Sequence, residues 1–66
     1  MQVSYKPLWK LLIDRDIRKK DLATMAGISP SSITKLTNNE NITTDVLLTI
    51  CYALDCDFSD ILEIIR

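Results

Sequence analysis

Apolar side chains recur along the chain every three or four residues, which is the period of an α-helix rather than of a strand. The clearest stripes are Leu8, Trp9, Leu12 and Ile13, followed further along by Leu47, Ile50, Cys51 and Leu54. No segment alternates apolar and polar residues as a half-buried strand does. The pattern predicts an all-α fold, a compact five-helix bundle.

Capping residues mark where the outer helices begin. Ser4 is positioned to cap a first helix from about Tyr5 to Arg15, and Thr43 or Thr44 a fourth helix. Ser59 is positioned to cap a last short helix at the end of the chain. In that last helix we expect three buried side chains, those of Ile61, Leu62 and Ile65.

The middle of the chain has the strongest boundary signals. A short helix is expected over about Lys19 to Ala26, directly followed by Gly27, the only glycine. Glycine is preferred at a helix end that turns into the left-handed conformation. Ser29 and Pro30 then form a cap and a first helical position, so a third helix should continue to about Thr37. Two short helices around a tight turn form a helix-turn-helix, at about residues 19–37.

The stretch from Lys19 to Leu36, KKDLATMAGISPSSITKL, resembles the helix-turn-helix of the Cro and phage-repressor family. The small Ala23 and the turn glycine stand at the family's positions, and its apolar places hold Leu22, Ala26, Ile28, Ile33 and Leu36. The resemblance extends from about Leu8 to Leu62. It implies a single lambda-repressor-like DNA-binding domain over residues 1–66, acting as a small bacterial or phage transcriptional regulator.

By this resemblance the third helix, Ser29 to Thr37, would be the recognition helix in the DNA major groove. Residues expected to face base edges are Pro30, Ser31, Thr34 and Lys35. Those expected to contact phosphates, which fix register without reading sequence, are Arg18, Lys19, Lys20 and Asn38. For each of these residues, an ordinary solvated position is the alternative.

The chain departs from the family at three kinds of position. Leu12 and Thr37 occupy the places of an arginine and a glutamate that often pair in the family, and Asn39 replaces a loop glycine. Lys19 stands where glutamine is common, which favours a phosphate contact there over a base contact.

Charge is unevenly distributed along the chain, although the net charge is only -1. Residues 1–39 carry seven basic and three acidic side chains, a net charge of +4. Residues 40–66 carry one basic and six acidic side chains, a net charge of -5. A basic face can therefore approach phosphates while an acidic face points away, with affinity that depends strongly on salt.

Length and composition exclude several other classes of protein. Sixty-six residues leave little depth for a catalytic cleft, and neither an acid–base set nor a phosphate loop is present, so no enzyme is expected. No apolar run suits a membrane span or a signal peptide, so we expect a cytoplasmic protein. Cys51 and Cys56 are five apart, off a shared helical face, and no histidine completes a metal site. We expect reduced structural thiols, no metal, no cofactor and no small-molecule substrate.

A single small domain contacts little DNA, so we expect a homodimer that reads two half-sites. Apolar residues left over from the inward stripes, namely Leu48, Tyr52, Phe58 and Ile64, suggest where copies associate, although each could also fill the core. The alternative function is a protein-interaction module on the same fold, such as an antitoxin or anti-repressor, which would bind its partner through the acidic C-terminal half.

Overall fold

The computed structural model describes residues 1–66, which form four α-helices, a short 3₁₀ turn and two short strands. In chain order these are β1 (Gln2–Ser4), α1 (Lys6–Asp14), α2 (Lys19–Ala26), α3 (Pro30–Thr37), α4 (Thr44–Leu54), the 3₁₀ turn (Phe58–Asp60) and β2 (Glu63–Ile65). No helix combines the length and the apolar character needed to cross a bilayer.

The two ends of the chain pair with each other as a two-stranded antiparallel sheet, in which Val3 lies opposite Ile64. The fifth helix expected after Ser59 is therefore replaced by a 3₁₀ turn and a strand, and the fold is mostly helical, with four α-helices and this small sheet. The backbone N–H of Asp57 donates to Asp60 Oδ2 at 3.0 Å, which fixes a single 3₁₀ turn. The β-branched pair Ile64-Ile65 then extends along β1, since such residues favour strands.

Burial at this end of the chain also differs from the expectation. Ile61 is fully buried and Leu62 is half-buried, but Ile65 lies 41% exposed on β2. By contrast, the apolar residues that were not assigned to the inward-facing stripes do lie on the surface. Leu48, Tyr52 and Ile64 are more than half exposed, and Phe58 is 37% exposed.

The start of α1 is organised differently from the prediction that Ser4 caps it. Tyr5 occupies the N-cap position, and the buried Ser4 hydroxyl accepts the backbone N–H of Lys6 at 3.3 Å. The Tyr5 backbone N–H donates to Asn39 Oδ1 at 3.1 Å, and its phenol donates to the Glu40 carbonyl at 2.9 Å. Burial raises the pKa of that phenol. These bonds tie the N-terminal segment to the loop that follows α3.

One hydrophobic core holds the helices together. It contains eleven buried residues: Tyr5, Leu8, Leu12, Leu22, Ala26, Leu36, Leu47, Ile50, Cys51, Leu54 and Ile61. Both helices of the predicted helix-turn-helix contribute, through Leu22 from α2 and Leu36 from α3, and each side chain is fully buried. The guanidinium of Arg15 donates to the carbonyl of Leu54, which joins the ends of α1 and α4. No buried side-chain polar atom lacks a hydrogen-bond partner.

The two cysteines are brought together by the turn that ends α4. Asp55 adopts the left-handed conformation (φ 52°), and the Cys56 N–H donates back to the Cys51 carbonyl at 3.0 Å. This turn brings the side chains of Cys51 and Cys56 into contact, although the two residues share no helical face. Both thiols are free. Burial, reinforced by the neighbouring Cys51, raises the pKa of Cys56 to about 11.

The raised pKa predicts that the Cys56 thiol reacts slowly with alkylating reagents. Because the thiolate is the nucleophile, a pKa near 11 instead of 9.0 leaves Cys56 with roughly 100-fold less reactive form at pH 8. Alkylation by iodoacetamide should therefore be slow at pH 8 and accelerate as the pH is raised towards 11. Mass spectrometry of the unsubstituted protein, cleaved between the two cysteines after alkylation, measures this rate at Cys56 with Cys51 still in place. Alkylation at the rate of free cysteine would contradict the prediction.

Candidate nucleic-acid interface

The turn between α2 and α3 depends on Gly27. Its backbone is left-handed (φ 66°, ψ 33°), and the next residue, Ile28, donates its N–H to the Ala23 carbonyl at 3.1 Å. A Cβ added at Gly27 would meet no heavy atom within 4 Å. Glycine is therefore favoured here by its backbone freedom and not by lack of space.

Substitutions of Gly27 should destabilise the protein by amounts that depend on how well the new residue tolerates a left-handed backbone. We expect Gly27→Val to lower the free energy of unfolding by about 2 kcal/mol, because a β-branched residue is strained at positive φ. Gly27→Asn is the matched control, with an expected loss of under about 1 kcal/mol, since asparagine tolerates this conformation. Urea denaturation of the three proteins measures both values. Equal stability of the Val and Asn variants would contradict this account of the turn.

The start of α3 is fixed by a cluster of serines. The Ser29 hydroxyl accepts the backbone N–H of Ser32 at 3.3 Å, as an N-cap does, and Pro30 occupies the first turn. Hydroxyl–hydroxyl hydrogen bonds join Ser29 to Ser31 at 2.9 Å and to Ser32 at 3.2 Å. The expected cap and start of the helix are therefore present, and the orientation of the first turn is restrained.

α3 presents one face to solvent and one to the core. Leu36 is fully buried and Ile33 half-buried, while all four residues expected to face bases, Pro30, Ser31, Thr34 and Lys35, are exposed. The Thr34 hydroxyl donates to the Pro30 carbonyl at 3.2 Å. Its oxygen can still accept a hydrogen bond and its methyl remains available for apolar contact. The exposed face thus offers a cation, hydroxyls and small apolar groups.

Lys19 is held by two neighbouring elements. Its ammonium lies 4.3 Å from the centroid of the Trp9 ring in α1 and donates to Thr37 Oγ1, at the end of α3, at 3.1 Å. Thr37 in turn donates to the Ile33 carbonyl at 2.9 Å. An ammonium has three donors, so Lys19 can still bind an anion while it is restrained. The sequence pattern placed Trp9 only in an apolar stripe, and its position beneath Lys19 was not expected.

A shallow groove of about 430 Å³ joins the start of α2 to the start of α3. Its lining comprises Lys19, Lys20, Ala23, Thr24, Ile28, Pro30 and Ile33. Two expected phosphate contacts and one expected base contact thus border the same depression. Arg18 is exposed at the N-cap of α2, where its backbone N–H donates to Asp21 Oδ2 at 3.3 Å. Its guanidinium is therefore at the same end of the helix as the two lysines.

Asn38 has different surroundings from the other expected phosphate contacts. It is exposed at the C-cap of α3, and its side-chain amide donates to Glu40 Oε2 at 3.4 Å. A carboxylate thus stands beside this amide and would repel a phosphate. Asn39, which follows, has a positive φ of 56°, as asparagine tolerates in place of the family's glycine.

Comparison with known proteins agrees with this geometry. The family model described as a Cro/C1-type HTH DNA-binding domain matches residues 7–66. A crystal structure of the transcriptional regulator VanUg (Form II) is similar to this chain at a TM-score of 0.91 and 55% identity, covering 94% of this chain and 83% of that one. No curated protein sequence matches the chain. The chain belongs to the Cro/C1-type helix-turn-helix family of DNA-binding domains.

Proposed function

We propose that the protein is a cytoplasmic transcriptional regulator that binds double-stranded DNA sequence-specifically, with α3 in the major groove. The observation that carries the proposal is the exposed polar face of α3, oriented by the Gly27 turn beside the cations that begin α2. Membership of a DNA-binding family and the resemblance to a transcriptional regulator support it.

Four residues of α3 would read the bases. Lys35 can donate to guanine O6 and N7, the commonest kind of specific contact for a cation in the major groove. Thr34, whose hydroxyl hydrogen is already committed to the backbone, would accept from adenine N6 or cytosine N4 and bring its methyl against thymine. Ser31 and Pro30, in the first turn, would contact the neighbouring base pair or its methyl group.

Phosphate contacts would come mainly from the start of α2. Lys19 is restrained there by Trp9 and Thr37, so binding a phosphate costs it less side-chain freedom than an unrestrained lysine would lose. Arg18 and Lys20 flank it and are exposed. Asn38 would contribute only if its amide exchanged Glu40 for a phosphate oxygen.

A homodimer would present two recognition helices to two half-sites. The outer edge of β2 suits this role because Ile64 and Ile65 are exposed there, 58% and 41% respectively. In an antiparallel pair of identical strands centred between Ile64 and Ile65, Glu63 would lie opposite Arg66 of the partner. In this pairing each acidic side chain would face a basic one, and the isoleucines of the two copies would face each other.

Selection of bound sequences from random duplexes tests the proposed roles of the cations. Lys35→Ala should change the preferred sequence at one base step per half-site, because a base contact is lost. Lys19→Ala is the matched lysine control and should weaken all sequences about equally, because a phosphate contact carries no sequence information. If both variants kept the parent's preference and affinity, the assignment of α3 as the recognition helix would be wrong.

A further inference from the structure

A second groove lies on the acidic half of the molecule, between α4 and the 3₁₀ turn, with a volume of about 1100 Å³. Its lining comprises Leu48, Thr49, Cys51, Tyr52, Asp55, Cys56, Asp57, Phe58 and Ser59. None of these residues is among those proposed to contact DNA. The groove is therefore unexplained by DNA binding through α3.

Three of its apolar side chains are exposed to solvent. Tyr52 is 90% exposed, Leu48 is 57% exposed, and Phe58 stands across the groove from them on the 3₁₀ turn. Tyrosine is among the residues that contribute most to binding at protein interfaces, because its ring is large and loses little entropy when it is fixed. A set of this kind around a concave surface is typical of a protein-binding site.

The charges around the groove determine which partner fits. Asp55 and Asp57 line it and no basic side chain does. Asp60 lies on the adjoining 3₁₀ turn, and Arg15, held by the Leu54 carbonyl, is the cation that acts on Cys56, so acidic side chains outnumber basic ones around the apolar lining. The complementary ligand is an apolar segment flanked by lysine or arginine.

A second copy of this chain fits the groove poorly. A two-fold interface across it would pair two linings that each hold Asp55 and Asp57 and no basic side chain, so neither copy offers a cation to the other's carboxylates. A head-to-tail contact would need the basic half of the second copy, which the proposed function assigns to DNA. The occupant is therefore a different protein.

We propose that the groove between α4 and the 3₁₀ turn binds a basic segment with an apolar face from another protein, while α3 remains free for DNA. The wall on α4 runs from Leu48 to Asp55, about 12 Å at 1.5 Å per residue, which suits about two turns of a partner helix. Apolar side chains on one face of that helix would contact Leu48, Tyr52 and Phe58, and its cations would reach the two aspartates.

Designed helical peptides of about 14 residues serve as probes of the full chain in the absence of DNA. The first has leucines on one face and lysines elsewhere, the second replaces lysine with glutamate, and the third replaces leucine with serine. Fluorescence anisotropy should show the leucine–lysine peptide binding at least about tenfold more tightly than the other two. Equal binding of the three peptides would overturn the proposal.

Substitutions test whether the leucine–lysine peptide binds in this groove. Tyr52→Ser should weaken the leucine–lysine peptide at least about tenfold, since truncation of a central tyrosine typically has that effect. Asp55→Asn keeps a residue that tolerates positive φ and should weaken binding and reduce its salt dependence. Met25→Ser, which removes an exposed apolar side chain outside the groove, is the matched control and should leave affinity unchanged. Unchanged affinity in Tyr52→Ser would overturn the proposal.

Two further measurements separate this proposal from the proposed function. Affinity of Tyr52→Ser for a selected duplex should equal that of the parent, because the groove is separate from the proposed DNA contacts. Sedimentation should show the same oligomeric state for both proteins, and dissociation of a dimer by Tyr52→Ser would instead place a second copy in the groove and overturn the proposal. Peptide binding by a chain that failed to bind DNA would still support the groove proposal.

Discussion

Replacing Leu36 with alanine is expected to lower the free energy of unfolding by about 2–5 kcal/mol, the range for deletion of a buried leucine side chain. Leu36 is fully buried and is the one residue of α3 counted in the core. A domain of 66 residues has a total stability of only roughly 5 kcal/mol. The variant should therefore retain at most about 3 kcal/mol and unfold at a much lower urea concentration than the parent.

Circular dichroism and urea denaturation, followed through the fluorescence of the single tryptophan, measure this effect. Lys35→Ala is the matched control on the same helix, because Lys35 is adjacent in sequence but exposed. Its stability should change by less than about 0.5 kcal/mol. A Leu36→Ala protein as stable as Lys35→Ala would mean that α3 is not anchored to the core as described.

Affinity for a selected duplex is expected to fall about 1000-fold when salt is raised from about 50 to 200 mM. Arg18, Lys19 and Lys20 give three proposed cationic contacts per copy and six per dimer. Each contact adds about -0.9 to the slope of log affinity against log salt, so the dimer should show a slope of about -5. Asn38 carries no charge and does not enter this slope.

Lys19→Ala should reduce that slope to about -4, because a dimer loses two of its six cationic contacts. Lys10→Ala is the matched control, since Lys10 is an exposed cation of α1 outside the proposed contacts, and its slope should equal that of the parent. Absence of DNA binding even at low salt would favour the alternative, a protein-interaction module such as an antitoxin or anti-repressor.

The helix-turn-helix could be predicted closely because its signals are local. Gly27 and the Ser29-Pro30 pair act within a few residues of their own positions, and the predicted bounds of α2 and α3 agree with the structure. The helical period likewise placed Leu36 inward and Lys35 outward. Local chemistry was sufficient for the boundaries and the faces of these two helices.

The ends of the chain could not be predicted because their structure depends on distant contacts. β2 forms against β1, more than fifty residues earlier in the chain, and a three-residue strand is too short to show alternation. Ser4 looked like a helix cap, but pairing drew it into β1 and left Tyr5 at the N-cap. Tertiary contact overrode the local preference at both positions.

Parts of the candidate site also could not be predicted from the sequence. The position of Lys19 depends on Trp9 from α1 and Thr37 from α3, and nothing in the spacing of these three residues indicates that they meet. The contact between Cys51 and Cys56 arises from a left-handed turn at Asp55, a residue that adopts this conformation only occasionally. Charge counting did anticipate an acidic C-terminal half, but not its concentration around an apolar groove.

The insertion of α3 into the major groove is tested most directly by nuclear Overhauser contacts between the protein and a selected duplex. Contacts are expected from the Thr34 methyl and the Lys35 side chain to base protons or thymine methyls in the major groove. Contacts to DNA confined to other elements, such as α1 or the two-stranded sheet, with α3 showing none, would contradict it.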